Sequence, residues 1–108
     1  MLTSMTDRII ATRRLTYAFK DDPTRWVFTV GISEPYEVTE EMEDFAYAPN
    51  AGACVVSFDG LDEKAEKVHG ADTIQALELA VGAMEAYLRR LRKKYDFFFE
   101  DGEPYFED

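Results

Sequence analysis

The chain is short of the residues that build most active sites. Its 108 residues hold one cysteine, Cys54, and one histidine, His69. A lone cysteine excludes an intrachain disulfide, which suits a reducing compartment. One Cys and one His leave too few ligands for a zinc site within a single chain. The six glycines are scattered singly, so no glycine-rich loop is present to cradle a phosphate. No apolar run is long enough to cross a bilayer. The opening MLTSMTDRIIATRR lacks the basic-then-apolar order of a signal peptide. These absences lead us to expect a cytoplasmic protein with no membrane partner, no metal and no cofactor. Cations are scarce too: 12 Lys and Arg face 22 Asp and Glu, for a net charge of −10. Such a balance repels nucleic acid and favours a basic protein partner.

What is present reads as one α+β domain over residues 1–108, behind a loose tail at 1–6. Hydrophobic residues make up 46% of the chain and charged ones 31%, ordinary for a globular protein. The strongest pattern predicts a long helix over 72–95. Ile74, Leu77, Val81, Met84, Leu88, Leu91 and Tyr95 recur at spacings of three and four, which sets them on one stripe. Asp72 is a good N-cap, and Gln75 three residues on completes a capping box. Arg89, Arg90, Arg92, Lys93 and Lys94 load the far end, where the helix dipole favours cations. Gly82, inside the helix, is expected to mark close packing on a sheet.

Alternation predicts the strands. Ile9, Ala11, Leu15, Tyr17 and Phe19 share one face of a first strand, with Arg13 as the exception. Lys20-Asp21-Asp22-Pro23-Thr24 is turn chemistry. Trp26, Phe28, Val30 and Ile32 share a face of the next strand, which should form an antiparallel hairpin with the first. Cys54, Val56 and Phe58 point inward from a third strand, and Leu61 to His69 reads as a polar loop. The expected fold is an antiparallel sheet of three to four strands with one long helix packed across one face. The opposite face would carry Thr12, Arg14, Thr16, Val27, Thr29, Val55 and Ser57.

Two segments concentrate the acidity. The connection 34–53 carries Glu34, Glu37, Glu40, Glu41, Glu43 and Asp44 without a single Lys or Arg, interleaved with Tyr36, Phe45 and Tyr47. A helical turn from Thr39 to Phe45 is compatible with its pattern, and long ordered connections are often functional. The C-terminal stretch 96–108, DFFFEDGEPYFED, is equally acidic and aromatic, with a hairpin signal at Asp101-Gly102 between two aromatic segments. Rings beside carboxylates suit the docking of a basic cleft: the rings supply area, the carboxylates orientation. The expected contact residues are Glu37, Glu40, Glu41, Glu43, Asp44, Phe45 and Tyr47, with Phe98, Glu100, Asp101 and Tyr105 as a second patch. The bland alternative is that both segments only solvate the fold. Phe97-Phe98-Phe99 weighs toward a partner, since three successive rings cannot share one strand face.

Catalysis finds little support, and no catalytic residue is assigned. Cys54 sits in an apolar strand and reads as an inert core thiol. His69, beside Gly70 ahead of the helix, reads as a surface or turn residue. Neither Gly60 nor Gly102 follows the alternating oxygen ligands of a calcium loop.

The helix opening Gly70-Ala71-Asp72-Thr73-Ile74-Gln75-Ala76-Leu77-Glu78-Leu79-Ala80 resembles a small bacterial α+β family. In that family a G-(V/A)-D-(S/T)-(L/I)-Q-A-L-x-L-A helix start follows an I-G-x-P segment and a strand. Gly31-Ile32-Ser33-Glu34-Pro35 is similar to that segment, with the Ile-Gly order altered. Some members look like immunity proteins carried beside secreted antibacterial toxins. The resemblance implies a non-enzymatic protein that neutralises a cognate toxin by covering its basic cleft. It supplies no catalytic residue, and the acidic connection is longer than its pattern. The alternative expectation is an accessory or structural homodimer joined through Val27 and Val55.

Overall fold

Apolar alternation and a helix repeat together give a two-layer α+β structure, in a computed structural model that describes residues 8–39 and 50–107. Strands β1 (Ile9–Phe19), β2 (Trp26–Ser33), β3 (Tyr36–Glu37), β4 (Gly52–Asp59) and β5 (Glu66–Gly70) precede helix α1 (Thr73–Arg90). A 3-10 turn (Leu91–Lys93) and strand β6 (Tyr95–Phe98) follow. All pairings are antiparallel. The sheet has six strands, where three to four were expected.

The additional strands are short. β3 pairs with β4 along the same edge as β2, so the two form one line broken at Glu34-Pro35. Proline has no N–H to give a ladder. Between the pairs Ile32–Val56 and Tyr36–Ala53 that line advances four residues while β4 advances three, the count of a β-bulge. Of the polar loop expected at Leu61 to His69, residues 61–65 remain a loop and the second half is taken up by β5. Its sequence EKVHG has one apolar residue, too few for alternation to show, and pairing with β4 makes it a strand. β6 confirms the strand expected after the helix, on the far side of β1.

The core lies between helix and sheet. Leu15, Phe28, Val30, Ile32, Cys54 and Val56, on the faces that alternation predicts, are buried together with Tyr95 and Phe97. Ile9, Phe19 and Trp26, expected on the same faces near the strand ends, are instead about half exposed. Arg13 keeps its place on the helix side, and the irregularity in β1 falls instead between Ile9 and Ala11. The guanidinium lies beyond the area that the helix covers, where it donates to Glu85 Oε2 at 3.3 Å and to the Tyr105 hydroxyl at 2.6 Å.

The helix is rolled away from the expected stripe. Ala76, Ala80, Met84 and Leu88 are its buried residues, whereas Ile74 is 70% exposed and Val81 51%. It also ends at Arg90, and Tyr95 belongs to β6. Two glycines account for the roll. A Cβ on Gly70 would stand 2.5 Å from the Ala76 nitrogen, and one on Gly52 2.7 Å from the Asp72 carbonyl carbon. The first helical turn therefore rests almost directly on β4 and β5, and small alanines fit the narrow gap. Asp72 caps the helix as expected, its Oδ1 accepting from the Gln75 N–H at 2.8 Å. Gln75 Oε1 reaches one residue further back than a capping box requires and accepts from the Ala71 N–H at 2.6 Å.

Gly82 plays no part in this approach, contrary to expectation, since nothing lies within 4 Å of where its Cβ would be. Its backbone freedom is only a cost in a helix interior. Gly82→Ala should stabilise the domain by about 1 kcal/mol, read as a rise of a few degrees in melting temperature. An unchanged or lower melting temperature would show that the position has a packing role.

Candidate functional site

The acidic connection leaves and re-enters the fold at one end of the sheet. β3 and β4 form its base through the pairs Tyr36–Ala53 and Glu37–Gly52. The Val38 N–H then donates to the Ala51 carbonyl at 2.9 Å. Val38 and Ala51 are both buried, so the two ends of the span 39–50 are clamped by a hydrogen-bonded, desolvated ladder.

Ser33 stitches the kink behind that ladder. Fully buried, its hydroxyl accepts from the Val55 N–H at 2.8 Å and donates to the Glu34 carbonyl at 3.2 Å. The bulge would otherwise leave the Val55 donor without a partner, a cost of about 1–3 kcal/mol in a buried position. Cys54 packs beside it, its thiol donating to the Ser33 carbonyl at 3.2 Å. Burial, opposed by hydrogen bonds from Ser33 and Val55, pushes the thiol up from its ordinary value. That favours the protonated form, as in the core role expected for it.

Of the first predicted patch, Glu37 is exposed at the end of the ladder. Glu40, Glu41, Glu43, Asp44, Phe45 and Tyr47, together with the turn expected from Thr39, lie outside the described residues. Their attachment is nonetheless defined by the clamped ends.

The second patch is placed differently from a free docking surface. Phe98 lies under the Arg25 guanidinium, 3.6 Å from its ring centre. Glu100 pairs with Arg14 at 3.2 Å. Asp101 Oδ1 accepts from the Glu103 N–H at 2.9 Å, within a turn where Gly102 has φ of +96°. Tyr105 is half-buried, and its hydroxyl donates to Glu85 while accepting from Arg13. Burial first, then the Glu85 carboxylate, pushes this phenol up, and Arg13 opposes them. The tail thus folds back as a clasp: Tyr105 and Phe106 pack on the core, and the Tyr105 N–H donates to the Phe97 carbonyl at 2.9 Å. Of the three successive rings, Phe97 is buried in the core, Phe98 is covered by Arg25, and Phe99 packs on Tyr105 at 4.9 Å.

The basic end of the helix is also engaged within the chain. Lys94 pairs with Glu63 at 3.0 Å and Arg90 with Glu66 at 3.6 Å. The Arg89 and Arg92 guanidiniums lie 4.6 and 5.0 Å from the Phe106 ring centre. Tyr95 joins the pair, donating to Glu63 at 2.9 Å. Burial and the Glu63 carboxylate push its phenol up to about 12. The carboxylate partners of Lys94 and Arg90 thus come from the β4–β5 connection and from β5, while the tail supplies the Phe106 ring to Arg89 and Arg92.

Neither a protein-family model, nor a curated protein, nor a solved structure matches this chain. The motif at Gly70 to Ala80 therefore stands on its residues, whose roles here are structural. Gly70 admits the helix, Asp72 and Gln75 cap it, and Ala76 and Ala80 are buried under it.

No three His, Cys, Asp or Glu side chains among the described residues are grouped to hold a metal ion. His69 lies half-buried in β5, paired with Ala53 in the ladder. Among the described residues no helix is long and apolar enough to cross a membrane.

Sequence reasoning missed the clamp. Val38 and Ala51 look unremarkable in a stretch of carboxylates. The signal that could have exposed them is the pairing of Tyr36-Glu37 with Gly52-Ala53 across the acidic span.

Proposed function

We propose that this is a non-enzymatic binding protein that presents an acidic loop to a cationic partner. The most concrete form of that reading is a cytoplasmic immunity protein that occludes the basic cleft of a cognate bacterial toxin. The observation that carries it is the clamped base of residues 39–50. A span holding Glu40, Glu41, Glu43 and Asp44 with no cation is delivered from a buried ladder at one end of a sheet. Anchoring both ends lowers the ordering entropy that a docking loop must lose. The aromatic residues Phe45 and Tyr47 in the same span supply contact area beside the charge.

The tail patch contributes less to this reading than the loop does. Glu100 and Asp101 have partners within the chain, and the hydroxyl of Tyr105 is already engaged. The docking surface is therefore centred on Glu37 and the loop that follows it. The homodimer alternative loses one of its two contacts, since Val55 is only 8% exposed in the single chain, while Val27 remains 52% exposed.

The test is the triple variant Glu40→Lys, Glu41→Lys, Glu43→Lys, measured for affinity toward the protein encoded by the neighbouring gene. Loss of binding with an intact fold supports the reading, and unchanged affinity contradicts it.

A further inference from the structure

β1 is the longest strand, and most of it is paired on one edge only. β2 runs along one side from Ile9 to Tyr17. On the other side β6 pairs only with Thr16 to Phe19. After Phe98 the chain turns away through residues 99–103. From Ile9 to Leu15 the outer edge therefore has no ladder among the described residues. A strand bonded on one side directs alternate N–H and C=O groups outward, a ready template for another chain.

The other outer edges are managed in ways that this one is not. β5 is only five residues long and carries Glu66 and Lys67, the short and charged edge that resists pairing. β6 is bridged by the tail through Phe98–Pro104 and the Tyr105–Phe97 hydrogen bond. β1 instead offers Ile9-Ile10-Ala11-Thr12, with Ile9 42% and Ile10 50% exposed.

Beside this edge, on the helix side, lies an apolar groove. The helix packs mainly over β4 and β5, and β1 is exposed from Ile9 to Arg14. Ala11, Arg13, Val30, Ile32, Val81 and Met84 line the resulting cleft of about 140 Å³. The same roll of the helix that exposes Val81 thus forms one wall. A strand added to β1 would place every second side chain on this side of the sheet.

Charge selects the occupant. Over Arg8 to Leu15 the strand carries Arg8, Arg13 and Arg14 and no carboxylate, in a chain whose net charge is −10. Pairing with a second copy would bring the Arg13 and Arg14 guanidiniums of both strands to one seam and join two strongly anionic molecules. Arg14, on the face away from the groove, already meets Glu100 in a pair more than half exposed. Exposed pairs of this kind are weak and exchange readily for an incoming carboxylate.

We propose that the outer edge of β1, Ile9 to Leu15, takes up an extended segment of a partner protein as an added strand. That segment alternates apolar side chains, which enter the groove beside Val81 and Arg13, with carboxylates on the opposite face that meet Arg14. This is strand addition, in which the main chain supplies affinity and alternate pockets supply selectivity. The inference does not depend on the toxin reading, because it concerns a different edge and an occupant of opposite charge.

The experiment uses the whole chain, labelled with ¹⁵N, and blocked peptides of about seven residues, the length of the open edge. One peptide alternates valine with glutamate, a second alternates valine with lysine, and a third is the glutamate peptide with alternate backbone nitrogens methylated. The glutamate peptide should shift amide signals of β1 and of Val81 and Met84, and slow exchange of the outward β1 amides. The lysine and methylated peptides should each bind at least about tenfold more weakly. Val81→Lys, at a half-exposed position, should weaken the glutamate peptide by about tenfold without lowering the melting temperature. The proposal is overturned if the glutamate peptide leaves β1 unshifted or if the lysine or methylated peptide binds equally well. Outward β1 amides already protected in the free, dilute protein would also overturn it. So would β1 shifts that depend on protein concentration without peptide, which would make a second copy the occupant. No toxin is present in the experiment, so either proposal can fail without the other.

Discussion

Replacing Glu40, Glu41 and Glu43 by lysine should weaken binding to the cationic partner by on the order of 100-fold or more, with the melting temperature essentially unchanged. Each reversal replaces an attraction by a repulsion of similar size. At a partly screened interface that amounts to about 1–2 kcal/mol per site. Three sites together reach about 3–6 kcal/mol, and every 1.4 kcal/mol is about tenfold in affinity. Much of the loss should appear in the association rate, because the net charge of −10 steers encounter with a basic surface. Titration calorimetry and stopped-flow mixing at low salt read both quantities. A loss below about threefold would mean that the loop's charge is not part of the contact. The fold should tolerate the change because the clamp is made by Val38, Ala51 and Ser33, none of which is altered.

Gly70→Ala should destabilise the domain by about 3 kcal/mol, and Gly70→Val by more. The added Cβ would lie 2.5 Å from the Ala76 nitrogen and 2.9 Å from the Gln75 carbonyl carbon. Both are backbone atoms of the first helical turn, so no side chain can swing aside to make room. The turn is held by the Asp72 cap on Gln75 and by the Gln75 side chain on the Ala71 N–H, and the helix can move off only by giving up burial of Ala76 and Ala80. A natural domain has about 5–15 kcal/mol in total, so this one methyl removes a large share. Denaturant unfolding gives the value directly. A midpoint within error of the parent would show that the helix does not rest on β5 as described. The loss should reach the acidic loop as well, since Gly52, beside the same helical turn, pairs with Glu37 at the loop's base.

These two residues also show which features the sequence made legible. The alternation of Phe28, Val30 and Ile32 with Val27 and Thr29 named the buried face of β2 correctly, because one sheet face is dry and the period is two. Cys54 and Val56 are buried and Phe58 packs against the core as expected. However, β4 is buried on both faces from Gly52 to Val56, which alternation does not show. The helix cap was visible because its chemistry is local: Asp72 and Gln75 act within a single turn. The roll of the helix was not, since hydrophobic spacing favours large residues. Gly52 and Gly70, far apart in sequence, instead bring Ala76 and Ala80 onto the sheet and turn Ile74 and Val81 outward. β5 was hidden because it is a strand only by virtue of pairing with β4.

The candidate site divides along the same line. The acidity of residues 34–53 and 96–108 was plain in composition, but composition could not show that the tail folds back as a clasp. The tail's Glu100 reaches Arg14 and its Tyr105 reaches Arg13 across more than eighty residues of sequence, pairings that only the fold brings together. The loop differs in that its ends are fastened to each other and its segment holds carboxylates but no Lys or Arg.

Hydrogen exchange on the complex with the neighbouring gene's product tests the central claim most directly. Slowed exchange should centre on the span from Glu37 to Ala51, with the tail amides from Phe99 to Glu107 exchanging as they do in the free protein. A complex that forms while exchange across Glu37 to Ala51 stays unchanged, or a product that does not bind at all, would contradict the account.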